Sequence, residues 1–219
     1  MPLLRLRQRL LAQAVLVSAA IASVAAELDC EGERADQAAG YLREQDSRRT
    51  QRLNALSIGI GAASGIGTTV ADGQGARYTL GIGGGLLAAG LGLLTLRGGQ
   101  SVPFGHPRNL LADVWAEKPA PGAFPPSVWY FLTEPAFSNG GQTSIAHNTR
   151  QRWQQAGPLA HPNSPAGQRL TALLFGAGGN YSADQLTMRA NMLNQLQAAV
   201  RLLNQEMQAL LQTVNESSH

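Results

Sequence analysis

Residues 53–71, LNALSIGIGAASGIGTTVA, and residues 78–96, YTLGIGGGLLAAGLGLLTL, decide how this chain is read. Neither stretch contains an Asp, Glu, Lys or Arg, and the DGQGAR that joins them is a turn by composition. Each is about as long as a helix that crosses a bilayer. Small residues recur four apart: Gly59, Ala63 and Gly67 in the first stretch, Gly81, Gly85 and Ala89 in the second. In water each such glycine costs a helix roughly 1 kcal/mol relative to alanine. In lipid the backbone must satisfy itself, and a face of small residues lets two helices approach closely. The two stretches therefore predict a Gly-zipper helical hairpin over 53–97 with both ends on one side. Mean hydropathy of about 1.3 and about 1.6 is marginal for a span, so a buried pair in a water-soluble bundle is the competing expectation. Arg48, Arg49, Arg52 and Arg97 flank the open side, which favours the cytoplasm by the positive-inside tendency.

Upstream, residues 1–26 carry Arg5, Arg7 and Arg9 ahead of a mostly apolar run that ends in Val24-Ala25-Ala26. This is the three-part pattern of a secretory signal, or of an uncleaved signal anchor if the run is retained. It sends the open side of the hairpin outward, against the flanking arginines. Those three leader arginines also account for the net charge of +3: Lys+Arg is 17 against 14 Asp+Glu, and no acid precedes Glu27. The rest is neutral, so nothing points to nucleic acid, which needs a basic patch on the folded part. Cys30 is the sole cysteine; in an oxidising compartment it is either free or bridges two chains.

Residues 27–52 hold 7 acids and 5 bases, with Ala35, Ala38, Ala39 and Leu42 at helical spacing. They predict a solvated amphipathic helix that continues directly into the first hairpin arm. At the other end, Ser182 and Gln185 form a capping-box pattern. From there Leu186, Leu193, Val200, Met207 and Val214 fall seven apart, with Leu196, Leu203 and Leu210 in the matching second positions and Arg189 the one misfit. Residues 181–219 therefore predict a long coiled-coil-like helix, which packs in a bundle or an oligomer or against the N-terminal helix of the same chain.

Residues 98–180 are different material, holding 10 of the 11 prolines and all three tryptophans. Short helices are expected over Pro107–Glu117, Pro126–Thr133, Thr143–Gln155 and Pro165–Phe175. Trp115, Phe124, Trp129, Phe131 and Trp153 are the expected anchors of a small irregular core, or of a partner-binding surface. The fold class is thus all-α: amphipathic N-terminal helix, Gly-rich hairpin, irregular short-helix middle and long C-terminal heptad helix.

Chemistry is thin. Gly61-Ala-Ala-Ser-Gly-Ile-Gly67 matches the cofactor loop of short-chain dehydrogenases letter for letter. The catalytic Tyr-x-x-x-Lys of that family cannot be built, because Tyr41, Tyr78, Tyr130 and Tyr181 are followed at the fourth place by Gln45, Ile82, Glu134 and Gln185. Lys118, the sole lysine, lies between Glu117 and Pro119, so there is no phosphate-binding loop. His106, His147 and His161 lack metal-ligand spacing, and His106 reads as a polar loop residue. Asp113 and Glu117 read as a solvated helix face. No catalytic residue, cofactor or metal is expected. In a generic way the chain resembles bacterial envelope proteins carrying Gly-zipper segments. The function that follows is non-enzymatic: a membrane-associated assembly component of the cell envelope, exported and facing the periplasm. It contacts membrane lipid and either an envelope protein or its own copies. The alternative is a membrane-active protein that forms a pore through its Gly-rich hairpin.

Overall fold

The computed structural model describes residues 2–70, 99–138, 140–155 and 157–216. Helix α1 runs without a break over Pro2–Val70, through residues 26 and 52, where leader, amphipathic helix and hairpin meet in sequence. Strand β1 (Ser101–Gly105) follows, then α2 (Leu110–Ala116), α3 (Pro126–Thr133), α4 (Ile145–Gln154), α5 (Pro165–Phe175), strand β2 (Gly178–Ser182) and α6 (Ala183–Glu216). The molecule is mostly helical, as composition and periodicity require. Proline at the first position starts α3 and α5, where a missing N–H costs nothing. Ser144 and Ser164 cap α4 and α5 by accepting from His147 N and Gly167 N. The box at α6 is formed in both directions: Ser182 N donates to Gln185 Oε1 at 2.9 Å and Gln185 N to Ser182 Oγ at 3.4 Å.

One small sheet joins the otherwise helical fold. β1 pairs antiparallel with β2, Val102 opposite Tyr181 and Gly105 opposite Gly178. Five-residue strands rich in Gly, with Pro103 inside, carry no alternation long enough to announce themselves. They form because the two ends of the middle region must close side by side. Gly178 is essential to that closure: its φ is +99°, and a Cβ there would overlap Phe104 O.

The most extensive interface is between α1 and α6, which run antiparallel. Ser18 Oγ donates to Asn204 Oδ1 at 2.8 Å, Gln197 Nε2 to Asp29 Oδ1 at 2.6 Å, and Arg43 to Thr187 Oγ1 at 2.8 Å. On α1 the inward positions are Ile21, Ala25, Leu28, Gly32, Ala35, Ala39 and Leu42, a strict four-three alternation. Four of the seven are Ala or Gly, so the helices approach closely; a Cβ on Gly32 would meet Asn194 Oδ1 at 2.8 Å. On α6 the stripe residues Leu186, Leu193, Leu196, Val200 and Leu203 are buried and Met207 half-buried, while the side chains of Leu210 and Val214 lie outside the described residues. The alternation on α1 does not stop at residue 26: Val24 and Ala25 are in the same core as Leu28.

Near its N-terminus α1 is long and apolar enough to cross a membrane, with a best-window hydropathy of 1.8, as a signal sequence or an anchor would be. This segment lies beside the C-terminal part of α6, where Ser18 meets Asn204, and Leu6, Leu10, Val15 and Leu16 on it are exposed.

Of the five aromatic anchors, Phe124, Trp129 and Trp153 are buried, and Trp115 and Phe131 are packed against the core at partial exposure. Trp115 stacks on Phe175 with centroids 4.3 Å apart. The middle region has no separate core, since its apolar residues join those of α1 and α6 in one cluster.

Candidate functional site

Among the described residues, polar groups gather in a buried network at the end of α5, around Asp113 and Glu117 at the end of α2, and at the neck where α1 leaves the folded body.

The buried network is built from residues far apart in sequence. A helix ends with carbonyls that lack intrahelical partners, and α5 ends inside the protein. Tyr181 Oη donates to Leu173 O at 2.6 Å, Arg189 Nη1 to Leu174 O at 2.8 Å, and Asn109 Nδ2 to Leu174 O and Gly176 O at 3.0 and 2.9 Å. Asn109 Oδ1 in turn accepts from Arg189. A cation at a helix C-terminus also meets the favourable end of the dipole. Arg189, the misfit in the heptad, is therefore a buried C-cap for a neighbouring helix. His106 lies in the loop after β1, as the sequence suggested, but is buried: its Nε2 lies 2.7 Å from Tyr181 Oη, and Phe104 packs edge-on against both rings. Because the Tyr181 proton is committed to Leu173, His106 donates from Nε2 and its Nδ1 is left without a partner, as is Arg189 Nε. Arg34 extends this cluster to α1, lying 4.0 Å above the Phe104 ring and donating to Gly105 O.

The electrostatics fit a fastening role. Burial, helped by Arg189, lowers His106 to about 4, and burial raises Tyr181 to about 12. Burial also lowers Arg189 to about 10. At neutral pH the histidine is neutral, the tyrosine protonated and the arginine charged, so none is poised to exchange a proton near pH 7.

Asp113 corrects the solvated-face reading. It is buried and accepts from Lys118 Nζ at 2.8 Å, Gly122 N at 2.8 Å and Ala123 N at 2.7 Å. Burial opposes its charge, but Lys118 and the two amides outweigh that and hold the carboxyl below its usual value. The sole lysine thus staples a loop. Glu117 lies at the surface, in the left-handed conformation that ends α2, and pairs with His147 Nδ1 at 2.7 Å and Arg150 Nη1 at 2.6 Å. Among the described residues no group of three His, Cys, Asp or Glu side chains is gathered for a metal ion. Cys30 is exposed on α1 and unbridged within the chain.

The neck lies at the other end of α1. Arg43 meets the first turn of α6 at Thr187 and Asp184, and α1 continues past the point where α6 begins. Asp46 accepts from Gln100 N at 3.3 Å and lies against Gly99, so the chain departs and returns at one point. From there α1 continues as helix to Val70. The uncharged part, residues 53–70, extends about 27 Å at 1.5 Å per residue. Leu56 and Ile58 on it are 56% and 71% exposed. At its base Gln45, Arg48, Arg49, Arg52, Leu53 and Gln100 line a cleft of about 460 Å³. The side chains of Gly59, Ala63 and Gly67 lie outside the described residues, as do Gly81, Gly85, Ala89 and Arg97 altogether. No protein-family model, no curated protein and no solved structure matches this chain.

Proposed function

We propose that this protein is a non-enzymatic, membrane-associated component of a bacterial cell-envelope assembly, exported and facing the periplasm. It is anchored by the Gly-rich excursion of residues 53–97 and docks an envelope partner, or copies of itself, through its helical body. The observation that carries this reading is the neck. An uncharged helical arm leaves a well-packed body with Leu56 and Ile58 exposed, and the chain re-enters at Gln100 beside Asp46. An arm of that length matches a hydrocarbon core of about 30 Å. The small-residue faces at Gly59, Ala63, Gly67 and Gly81, Gly85, Ala89 are the contact by which two such arms would pack in lipid.

The same geometry supplies the test. Because both ends of the excursion meet at Asp46, residues 51–98 can be replaced by a short Gly-Ser linker without straining the body. Native membranes carrying either chain are washed with alkaline carbonate. The full chain is expected to stay with the membrane and dissolve in detergent, and the linker chain to be released as a soluble, helical protein. A linker chain that resists carbonate as the full chain does would refute the hairpin as anchor and move that role to the N-terminal part of α1.

A further inference from the structure

We propose that the cleft at the neck is a binding site for the phosphate of an anionic phospholipid headgroup. The inference rests on the membrane reading above and adds to it a ligand class and the residues that hold it. Arg48, Arg49 and Arg52 lie on the face of α1 that looks into the cleft with Gln45, and Gln100 closes the other side. Among the described residues no carboxylate lines it. Asp46 is occupied by the Gln100 amide, Arg48 pairs with Glu44 at 2.6 Å along the helix, and Arg49 and Arg52 have no acidic partner among the described residues. Two other clefts of comparable size hold both signs, Arg169 with Asp184 in one and Lys118 with Glu117 in the other. Among the described residues the charged groups lining the neck cleft are all positive, which suits an anion.

Its second property selects a lipid over a free ion. Leu53 forms part of the wall, and it opens the uncharged arm, one turn below exposed Leu56. A headgroup presents the matching sequence: a phosphate at the boundary plane, then glycerol, then hydrocarbon. Guanidinium groups grip phosphate oxygens bidentately and keep their charge at every physiological pH. Those of Arg49 and Arg52, about one turn or less from the point where charge disappears from the sequence, hold the helix at the depth where headgroups lie. The same contact explains why the arginines can flank the outer side of the hairpin: they are bound by lipid there instead of setting its topology.

The test is flotation of the full chain, purified in detergent and diluted into vesicles of phosphatidylcholine alone or mixed with phosphatidylglycerol, at physiological ionic strength. The wild type is expected to prefer the anionic vesicles. In R49Q/R52Q that preference should fall about thirtyfold, from roughly fivefold per arginine near an anionic surface, while binding to phosphatidylcholine is unchanged. Millimolar inorganic phosphate should not compete. Equal preference in variant and wild type overturns the site. Full competition by inorganic phosphate overturns the lipid assignment in favour of a free-anion site. Equal binding to both vesicle types overturns the inference while leaving the anchored hairpin standing, and binding to neither overturns both.

Discussion

Ile21 is the residue at which the leader and the folded body make opposite claims. It lies inside an apolar run of the kind a secretory signal would need, where any large aliphatic residue serves, yet it is fully buried between α1 and α6. In I21A the seam loses three carbons. Buried Ile→Ala changes cost about 2–5 kcal/mol, and the lower half of that range applies here, because a two-helix seam collapses more easily around a void than a deep core does. Alanine's better helix propensity returns about 0.4 kcal/mol. The expected net loss is about 2 kcal/mol, which for a chain of this size lowers Tm by roughly 4–8 °C. L16A is the control: five residues away on the same helix, Leu16 is 67% exposed, so its removal should stay within about 0.5 kcal/mol. Thermal melts followed by far-UV circular dichroism on the full chain make the comparison. If I21A melts with the wild type, or if the two variants shift equally, residues 11–26 are not half of the seam and the continuous heptad on α1 has no energetic meaning.

Three further outcomes follow from named contacts. L203E puts a charge at a buried seam position and should cost at least about 3 kcal/mol; unchanged helicity and Tm would rule out the seam at that level. D113N leaves an amide that cannot accept both loop N–H groups and meet Lys118, and should cost about 2 kcal/mol at neutral pH. Because the Asp113 carboxyl is held below 3.8, its contribution is present above that pH and is lost as pH falls through the folded value; a variant-to-wild-type difference that persists in strong acid would contradict this. His106 acts in a higher window. Its folded value of about 4 lies below the unfolded 6.5, so the unfolded chain takes up a proton first and stability declines as pH drops from 6.5 toward 4. H106Q should flatten Tm against pH across that window, and a parallel offset would sink the argument.

Much of this fold is legible in local patterns, because periodicity and caps act over a few residues. Pro126–Thr133 and Pro165–Phe175 are bounded in sequence by the same prolines that start α3 and α5. Ser182 and Gln185 announce α6 and then form the box. The loss of charge at residue 53, where the arm of the neck begins, is equally plain in composition. The buried polar residues are not legible in this way. His106 and Tyr181 are 75 residues apart and meet only because β1 and β2 pair. Arg189 looks like an error in a heptad until the end of α5 arrives beside it with an unsatisfied carbonyl. Asp113 has the spacing of a surface residue, and its burial depends on a loop that folds back across it.

By itself, then, the amino-acid order pointed to a mostly helical chain with two uncharged Gly-rich stretches and a long C-terminal helix carrying an apolar seven-residue repeat, because hydrophobic period, capping and glycine content are properties of neighbouring residues. Only the tertiary structure decided that the apolar stripe of α6 packs on α1 of the same chain, the N-terminal apolar run included, and that α1 passes the chain's return at Gln100 beside an arginine-lined cleft. It also decided that the odd charges inside the body are fasteners. Those outcomes depend on which surfaces come together across more than a hundred residues, where burial turns an apolar stripe into a seam and an isolated charge into a cap.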